Sequence, residues 1–325
     1  MCYLRRVTVS AVTGIAFGIL ASSAPAQTQQ KFPSKPIRLV LPFPAGQDAL
    51  ARQVGAKLAE RWGQPVAIDN RPSGGGTLAA TTVASALPDG HTLLWTGAAF
   101  GVSAALYGDK LPYDPLRDFT GVAQVALGTS VLVVTPSLGV KSVRELIALA
   151  KAKPGALYFG SGGAGTGTHM NAEKFRFASG IHTMHVAFKG AQALIETVAG
   201  RVHYCIFPVV QSMPLIKEGR LLALAVNTPQ RSPLLRELPT IGELVPGFER
   251  DGSFALLAPA RTPRPVVHEI SQEIARIVDL PDVKDWMQAQ GFVPAPTTPE
   301  EYDRILRAQI ESHARFVKLA GLRAK

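Results

Sequence analysis

Short apolar runs and amphipathic stretches alternate along the chain. "IRLVLPF", Ile37 to Phe43, is a continuous apolar run of the kind that fills the middle of a sheet. "DALARQVGAKLAERW" follows, with Leu50, Val54 and Leu58 on one helical face. "PVAIDN" reads as a second strand, and "TLAATTVASAL" as a helix stopped by Pro88, Asp89 and Gly90. "HTLLWTG" reads as a third strand. This order predicts a parallel sheet covered by helices.

A second set of elements begins after "GVAQVALGTSVLVVTP", which is either two strands or one strand passing between domains. "SVRELIALAKAKPG" carries a helix start at Ser142, a glutamate three residues on at Glu145, and Gly155 beyond its end. The stretches "ALYFGS", "HTMHVAFKG" and "VHYCIFPVV" read as strands, alternating with the helical "THMNAEKFRFASG" and "AQALIETVAGR". "MPLIKEGR" and "LLALAVNT" continue the alternation, and the proline-punctuated "PQRSPLLRELPTIGELVPGFE" reads as a long irregular connection. "SFALLAPA" is a strand, and two amphipathic helices close the chain, around Val266 to Val278 and Glu300 to Leu319. The expected architecture is α/β: two doubly wound units, 32–125 with 253–325 and 126–252, with a ligand cleft between them. "PFPAG" and "GSGGAGTGTH" each follow a strand, one per unit, as candidate opposite lips of that cleft.

The N-terminus sets the compartment. Arg5 and Arg6 precede an apolar run from Val7 to Ala21, and Ala24-Pro25-Ala26 supplies small residues before a cleavage point. The run is about 15 residues, short of the ~20 of a spanning helix, so residues 1–26 read as a cleaved signal peptide rather than an anchor, and the mature chain as periplasmic. Cys2 leaves with the signal, and Cys205 in an apolar run reads as a buried, inert thiol. His182 and His185 are three apart in a strand, so they face opposite sides and are poorly placed to share a metal. Losing Arg5 and Arg6 takes two charges from the formal +10. The remaining excess is spread without a Lys/Arg block and with few aromatics, which argues against nucleic acid.

The stretch "YFGSGGAGTGTHMNAEKF", Tyr158 to Phe175, holds five glycines ahead of a helical pattern. Gly160, Gly162 and Gly165 fit G-x-G-x-x-G, yet the next strand ends in Phe188, Lys189 and Gly190, with no acid for a ribose. Thr168 stands where a phosphate-binding loop requires lysine, and Phe159 breaks the G-x-S-x-G nucleophile pattern. His169 as a general base lacks an orienting acid. Anion capture at a helix N-terminus remains: Thr166 or Thr168 caps the helix, and free N–H groups with the Ser161 and Thr166 hydroxyls hold a carboxylate. The plain alternative is a tight turn that binds nothing.

An ordered set of stretches carries a resemblance. "FPSKPIRLVLPFPAG", "DNRPSGGGT", "LPDGHTLL", "LPYDPLRDFTGVAQV", "KSVRELIALAKAKPGALYFGSGGAGTGTH", "HVAFKG", "IKEGRLLALAVNTPQRSP" and "LPTIGE" run in the order found in the substrate-binding proteins of tripartite tricarboxylate transporters, the Bug family. The chain resembles that family from Phe32 to its C-terminal helices. The resemblance implies a type II periplasmic binding fold that closes on a small carboxylate, no enzyme activity, no cofactor or metal, and membrane transporter subunits as partners of a monomer. Carried over as ligand-binding are Phe43, Pro44, Ala45 and Gly46, then Thr96, Gly97 and Ala98, then Ser161, Gly162, Gly165, Thr166, Thr168 and His169; Gln47 and Phe207, where this chain departs from the pattern, are ligand-binding candidates by position. Two positions depart from the family pattern. "PFPAGQD" replaces PFPAGG-x-x-D, shortening the loop whose backbone holds ligand-bridging waters in relatives. Phe207 and Pro208 stand where relatives often carry Asp-Asn, and Phe207 is expected to face the cleft and make it more apolar. The alternatives are a sensory or orphan binding protein with an altered ligand, and a hydrolase using Ser161 or His169.

Overall fold

The computed structural model describes residues 32–250, 252–319 and 321. The signal peptide expected over residues 1–26 lies outside the described residues. Two sheets organise the rest. The first receives β1 (Ile37–Leu41), α1 (Ala49–Trp62), β2 (Val66–Asn70), α2 (Thr77–Ala84), β3 (Thr92–Thr96), α3 (Ala98–Tyr107) and β4 (Phe119–Gly128). The chain then crosses at Thr129 into β5 (Ser130–Val134), α4 (Val143–Ala152), β6 (Tyr158–Ser161), α5 (Gly167–Ala178), β7 (Met184–Ala187), α6 (Gln192–Val198), β8 (Tyr204–Pro208), α7 (Val209–Lys217) and β9 (Leu222–Val226). After α8 (Ile241–Leu244) it returns to the first sheet with β10 (Ser253–Pro259), α9 (Arg264–Asp279), α10 (Pro281–Ala289), β11 (Phe292–Pro294) and α11 (Pro299–Leu319).

The first sheet has the order β11-β4-β10-β3-β1-β2 and the second β7-β6-β8-β5-β9. Strands β1, β2 and β3 run parallel, as do β6, β7 and β8. The sheets are mixed rather than purely parallel, because the crossing strands β4, β5 and β10 pair antiparallel with their neighbours. The long run "GVAQVALGTSVLVVTP" is thereby two strands, one in each sheet. Alternation along β1 sends Ile37, Leu39 and Leu41 to one core and Val40 to the other. Helices cover both faces of each sheet: α1, α9 and α10 against α2, α3 and α11 in the first, α4 and α5 against α6 and α7 in the second.

Local signals explain the helix ends. Ser142 Oγ accepts the Glu145 N–H at the start of α4, and Thr240 with Glu243 forms a complete capping box on α8. Cys205 is fully buried, and burial pushes its thiol up to about 12, so it is inert as expected. Four helices escape the sequence reading. α3 is missing from it, α7 begins at Val209 inside a run read as strand, α8 lies in the stretch read as an irregular connection, and α10 precedes the unanticipated β11.

The crossing between sheets is densely bonded. Gly128 N–H donates to Gly252 O (2.7 Å) and Thr129 N–H to Gly291 O (2.8 Å). Asn227 Oδ1 accepts the Ser130 N–H at 2.6 Å. The Arg250 guanidinium donates to Asn227 O at 2.9 Å and to Gly128 O at 3.0 Å, tying both crossing segments together.

Candidate functional site

Parallel strands end at the same edge of their sheets, and the loops beyond those carboxyl ends form the natural ligand face. The loop after β1 is braced from behind. Asn70 Nδ2 donates to Phe43 O at 3.0 Å, and Gly46 N–H donates to Asp48 Oδ1 at 3.1 Å. Asp48 is buried and paired with Arg52 at 2.7 Å; that partner holds its carboxyl below the usual carboxylate range. Pro44, Ala45, Gly46 and Gln47 stand exposed on this brace. Phe43 lies against Gly97, its ring 3.3 Å from where a β-carbon on that glycine would stand. Thr96 is buried and its hydroxyl donates to Gly97 O at 3.3 Å.

The glycine-rich loop after β6 spends most of its polar groups on itself. Thr166 caps α5: its hydroxyl accepts the His169 N–H at 3.3 Å and donates to Gly163 O at 2.7 Å. Thr168 Oγ1 accepts the Gly162 N–H at 2.9 Å and lies 2.9 Å from Thr166 Oγ1. Ser161 is fully buried, with Oγ 2.7 Å from His185 Nε2 and in reach of Gly163. His169 Nδ1 accepts the Gly165 N–H at 3.1 Å, and Nε2 faces Glu173 Oε1 at 3.8 Å. Burial first, then the neighbouring His185 and Arg176, push its pKa down to about 3, so the ring is neutral and carries its proton on Nε2. It stacks on His185 with centroids 4.0 Å apart. These contacts make Ser161 and His169 builders of the loop. The Ser161–His185 pair was invisible in sequence because the two residues belong to different strands.

The first turns of α3 and α5 abut. A β-carbon on Gly167 would lie 3.7 Å from Ala98 Cβ, and one on Gly165 would lie 3.8 Å from Leu106 Cδ1. Val102, Met170 and Phe316 pack together beside this contact, joining α3, α5 and α11. Among the described residues, no hydrogen bond engages the N–H groups of Ala98, Ala99, Gly167 or Thr168. Two helix N-termini with their positive ends together, and free donors on both, repel each other unless an anion lies near. Ala99 was not expected as a contributor, and Gly167 only as part of the loop from Ser161 to His169; dense glycine points to the loop but not to the particular amides it leaves free.

Phe207 corrects an expectation. Its ring is almost fully buried with Val131, Leu194 and Val209 in the core between the second sheet and α6 and α7. Alternation along β8 puts Phe207 on the same face as Cys205, so it packs as core instead of lining the cleft. Two surface grooves of about 510 and 500 Å³ lie elsewhere, one lined by Val140, Leu221 and Leu238, the other by Val209, Met213 and Leu234. Among the described residues no cluster of three or more His, Cys, Asp or Glu is arranged for a metal, and no helix is long and apolar enough to cross a membrane.

Comparison with known proteins gives one consistent set. Residues 50–322 match the model of the tripartite tricarboxylate transporter family receptor. A UPF0065 protein from the tcbD-tcbE intergenic region of Pseudomonas sp. (strain P51) is 35% identical over 311 residues, covering 94% of this chain and 92% of that one. R. palustris Rpa4515, solved with adipate, superposes with a TM-score of 0.80 at 34% identity, covering 89% of this chain and 98% of its own. MatC from Rhodopseudomonas palustris, solved with bound malate, gives a TM-score of 0.75 at 29% identity over 88% of this chain and 100% of its own.

Proposed function

The chain belongs to the tripartite tricarboxylate transporter receptor family, and on that premise we propose that it is a periplasmic receptor that closes two lobes, 32–125 with 253–325 and 126–252, on a small organic carboxylate. The observation that carries this reading is the meeting of α3 and α5, with the amides of Ala98, Ala99, Gly167 and Thr168 free at two adjoining positive helix ends. Adipate and malate, held by relatives, are anions of the matching kind. Phe43 to Gln47 and Thr96 to Ala98 supply one lip and Ser161 to His169 the other, with Ser161, Thr166 and His169 fixing loop shape.

The receptor does no chemistry on its ligand. Ser161, the hydroxyl best placed beside a histidine, is fully buried and shielded from any substrate. The captured solute passes to membrane subunits of a transporter. Export rests on the Arg5-Arg6, apolar-run and Ala24-Pro25-Ala26 order. N-terminal sequencing of exported protein is expected to begin at Gln27; a retained Met1 would refute cleavage.

A thermal-shift panel of mono-, di- and tricarboxylates, the matching amides, and nucleotides tests the ligand class. At 100 times its dissociation constant a ligand adds about 2.7 kcal/mol, and ~1 kcal/mol moves a domain of 150–250 residues by ~2–4 °C. A carboxylate is therefore expected to raise the Tm by at least a few degrees and its amide to leave it unchanged. Equal stabilisation by acids and amides would refute the anion site. In the same panel, Thr166→Val is expected to cost about 1 kcal/mol of stability through the lost cap. Affinity for the best acid should fall about tenfold, because the freed Gly163 and His169 groups no longer hold the start of α5 in place. Unchanged affinity would remove Thr166 from the site.

A further inference from the structure

Gln47 is held so that its side chain leaves its own lobe. Its N–H donates to Pro44 O at 3.2 Å, and the flanking Gly46 and Asp48 are fastened through Arg52, which reaches Asn70 Oδ1 at 3.4 Å. The side-chain amide ends against the other lobe, with Nε2 3.5 Å from where a β-carbon on Gly190 would stand. Gly190 N–H donates to Gly162 O at 3.3 Å. A β-carbon on Gly162 would in turn stand 3.4 Å from Gly190 O and 3.4 Å from Thr168 Oγ1. The amide of Gln47 thus reaches from the β1–α1 loop to the rim of the glycine-rich loop that leads into α5.

We propose that Gln47 determines specificity: its amide crosses the cleft to donate to the carboxylate held at the starts of α3 and α5, so that one anion is gripped from both lobes. This rests on the carboxylate reading and adds to it the residue that reads charge. A neutral amide donates without adding charge to a site already favourable to anions. Asp48 cannot do the same, being buried and turned back onto Arg52. Lys189 is exposed next to Gly190 and adds attraction for any anion, but it stays on its own lobe, whereas the Gln47 amide reaches that lobe from the other.

The test is calorimetric titration of the full mature chain with adipate and with malate, for the unmodified protein, Gln47→Ala and Gln47→Glu. Losing one hydrogen bond to a charged group predicts at least about tenfold weaker binding for Gln47→Ala. A carboxylate at contact distance from the ligand's own predicts about a hundredfold or more for Gln47→Glu. Both variants should match the unmodified Tm without ligand, since residue 47 is exposed. Binding by Gln47→Glu within twofold of the unmodified protein would overturn the proposal while leaving the carboxylate site standing. If neither acid binds the unmodified protein, the carboxylate reading is what fails. Binding of both acids by Gln47→Ala within twofold of the unmodified protein would overturn the proposal as well.

Discussion

Gly291→Ala is expected to destabilise the protein by roughly 2–4 kcal/mol. Gly291 stands where the first sheet's last strand begins, with φ at +72°, and its carbonyl accepts the Thr129 N–H. A β-carbon there would lie 2.3 Å from Val209 Cγ1, far inside contact distance, with Val210 Cγ2 at 3.6 Å and Leu234 Cδ1 at 3.8 Å. Val209 cannot retreat freely, because it is buried and its N–H donates to Thr129 O at 3.0 Å. The left-handed backbone contributes about 1 kcal/mol of the cost and the overlap the remainder. Gly219→Ala separates the two, since Gly219 has φ of +70° with nothing within 4 Å of its would-be β-carbon. Urea unfolding should show about 1 kcal/mol for Gly219→Ala and clearly more for Gly291→Ala. Equal losses would mean that Val209 yields without cost and that the crossing is looser than its hydrogen bonds imply.

Elements whose ends carry side-chain signals were legible in sequence. The stripe of Leu50, Val54 and Leu58 gave α1, and Ser142 with Glu145 gave α4, because capping and amphipathicity act locally. α3 has neither. "AAFGVSAALY" is apolar or small on every side, since the helix packs against its own sheet and against α5 and α11, so no polar face exposes its period. At α7 the apolar run of β8 continues through Val209, and only Pro208 marks the change from strand to helix. The antiparallel crossing strands followed from two sheets sharing one chain, which no local pattern records.

The candidate site was legible to the level of the loop and not of the atom. Glycine density pointed to the stretch from Ser161 to His169, and helix-start chemistry narrowed the cap to Thr166 or Thr168, of which the structure uses Thr166. Which donors stay free depends on partners brought by other elements. His185 from β7 occupies Ser161, and Ala98 at the start of α3 lies against Gly167. Phe207 misled because a strand's register toward core or cleft is fixed by its neighbours; pairing of Phe207 with Val131 in β5 places it in the core.

His169 makes stability fall as the medium is acidified. Its folded pKa is near 3 against about 6.5 in a free chain, because the ring is buried, stacked on His185 and near Arg176. Above pH 6.5 both states hold the ring neutral and it contributes no pH dependence. Between 6.5 and 3 the unfolded chain binds a proton that the folded chain refuses, so stability is lost as pH falls across that window and levels off below it. The slope is up to tenfold in the unfolding constant per pH unit, or roughly 2 kcal/mol from pH 6.5 to 5. His169→Phe keeps a ring against His185 and Phe159 while removing the proton site. Urea unfolding at pH 7 and pH 5 is expected to show a loss on acidification smaller by about one proton's worth in the variant. Glu173, 3.8 Å from Nε2, is the group that would oppose this by attracting the proton, so an imidazole signal that titrates near pH 6 would show that Glu173 outweighs burial. A variant with the unmodified slope would show the same. On the proposed carboxylate reading, a ring neutral throughout leaves anion capture to the helix amides, so carboxylate affinity should not rise through protonation of His169 as the pH drops from 7 to 5.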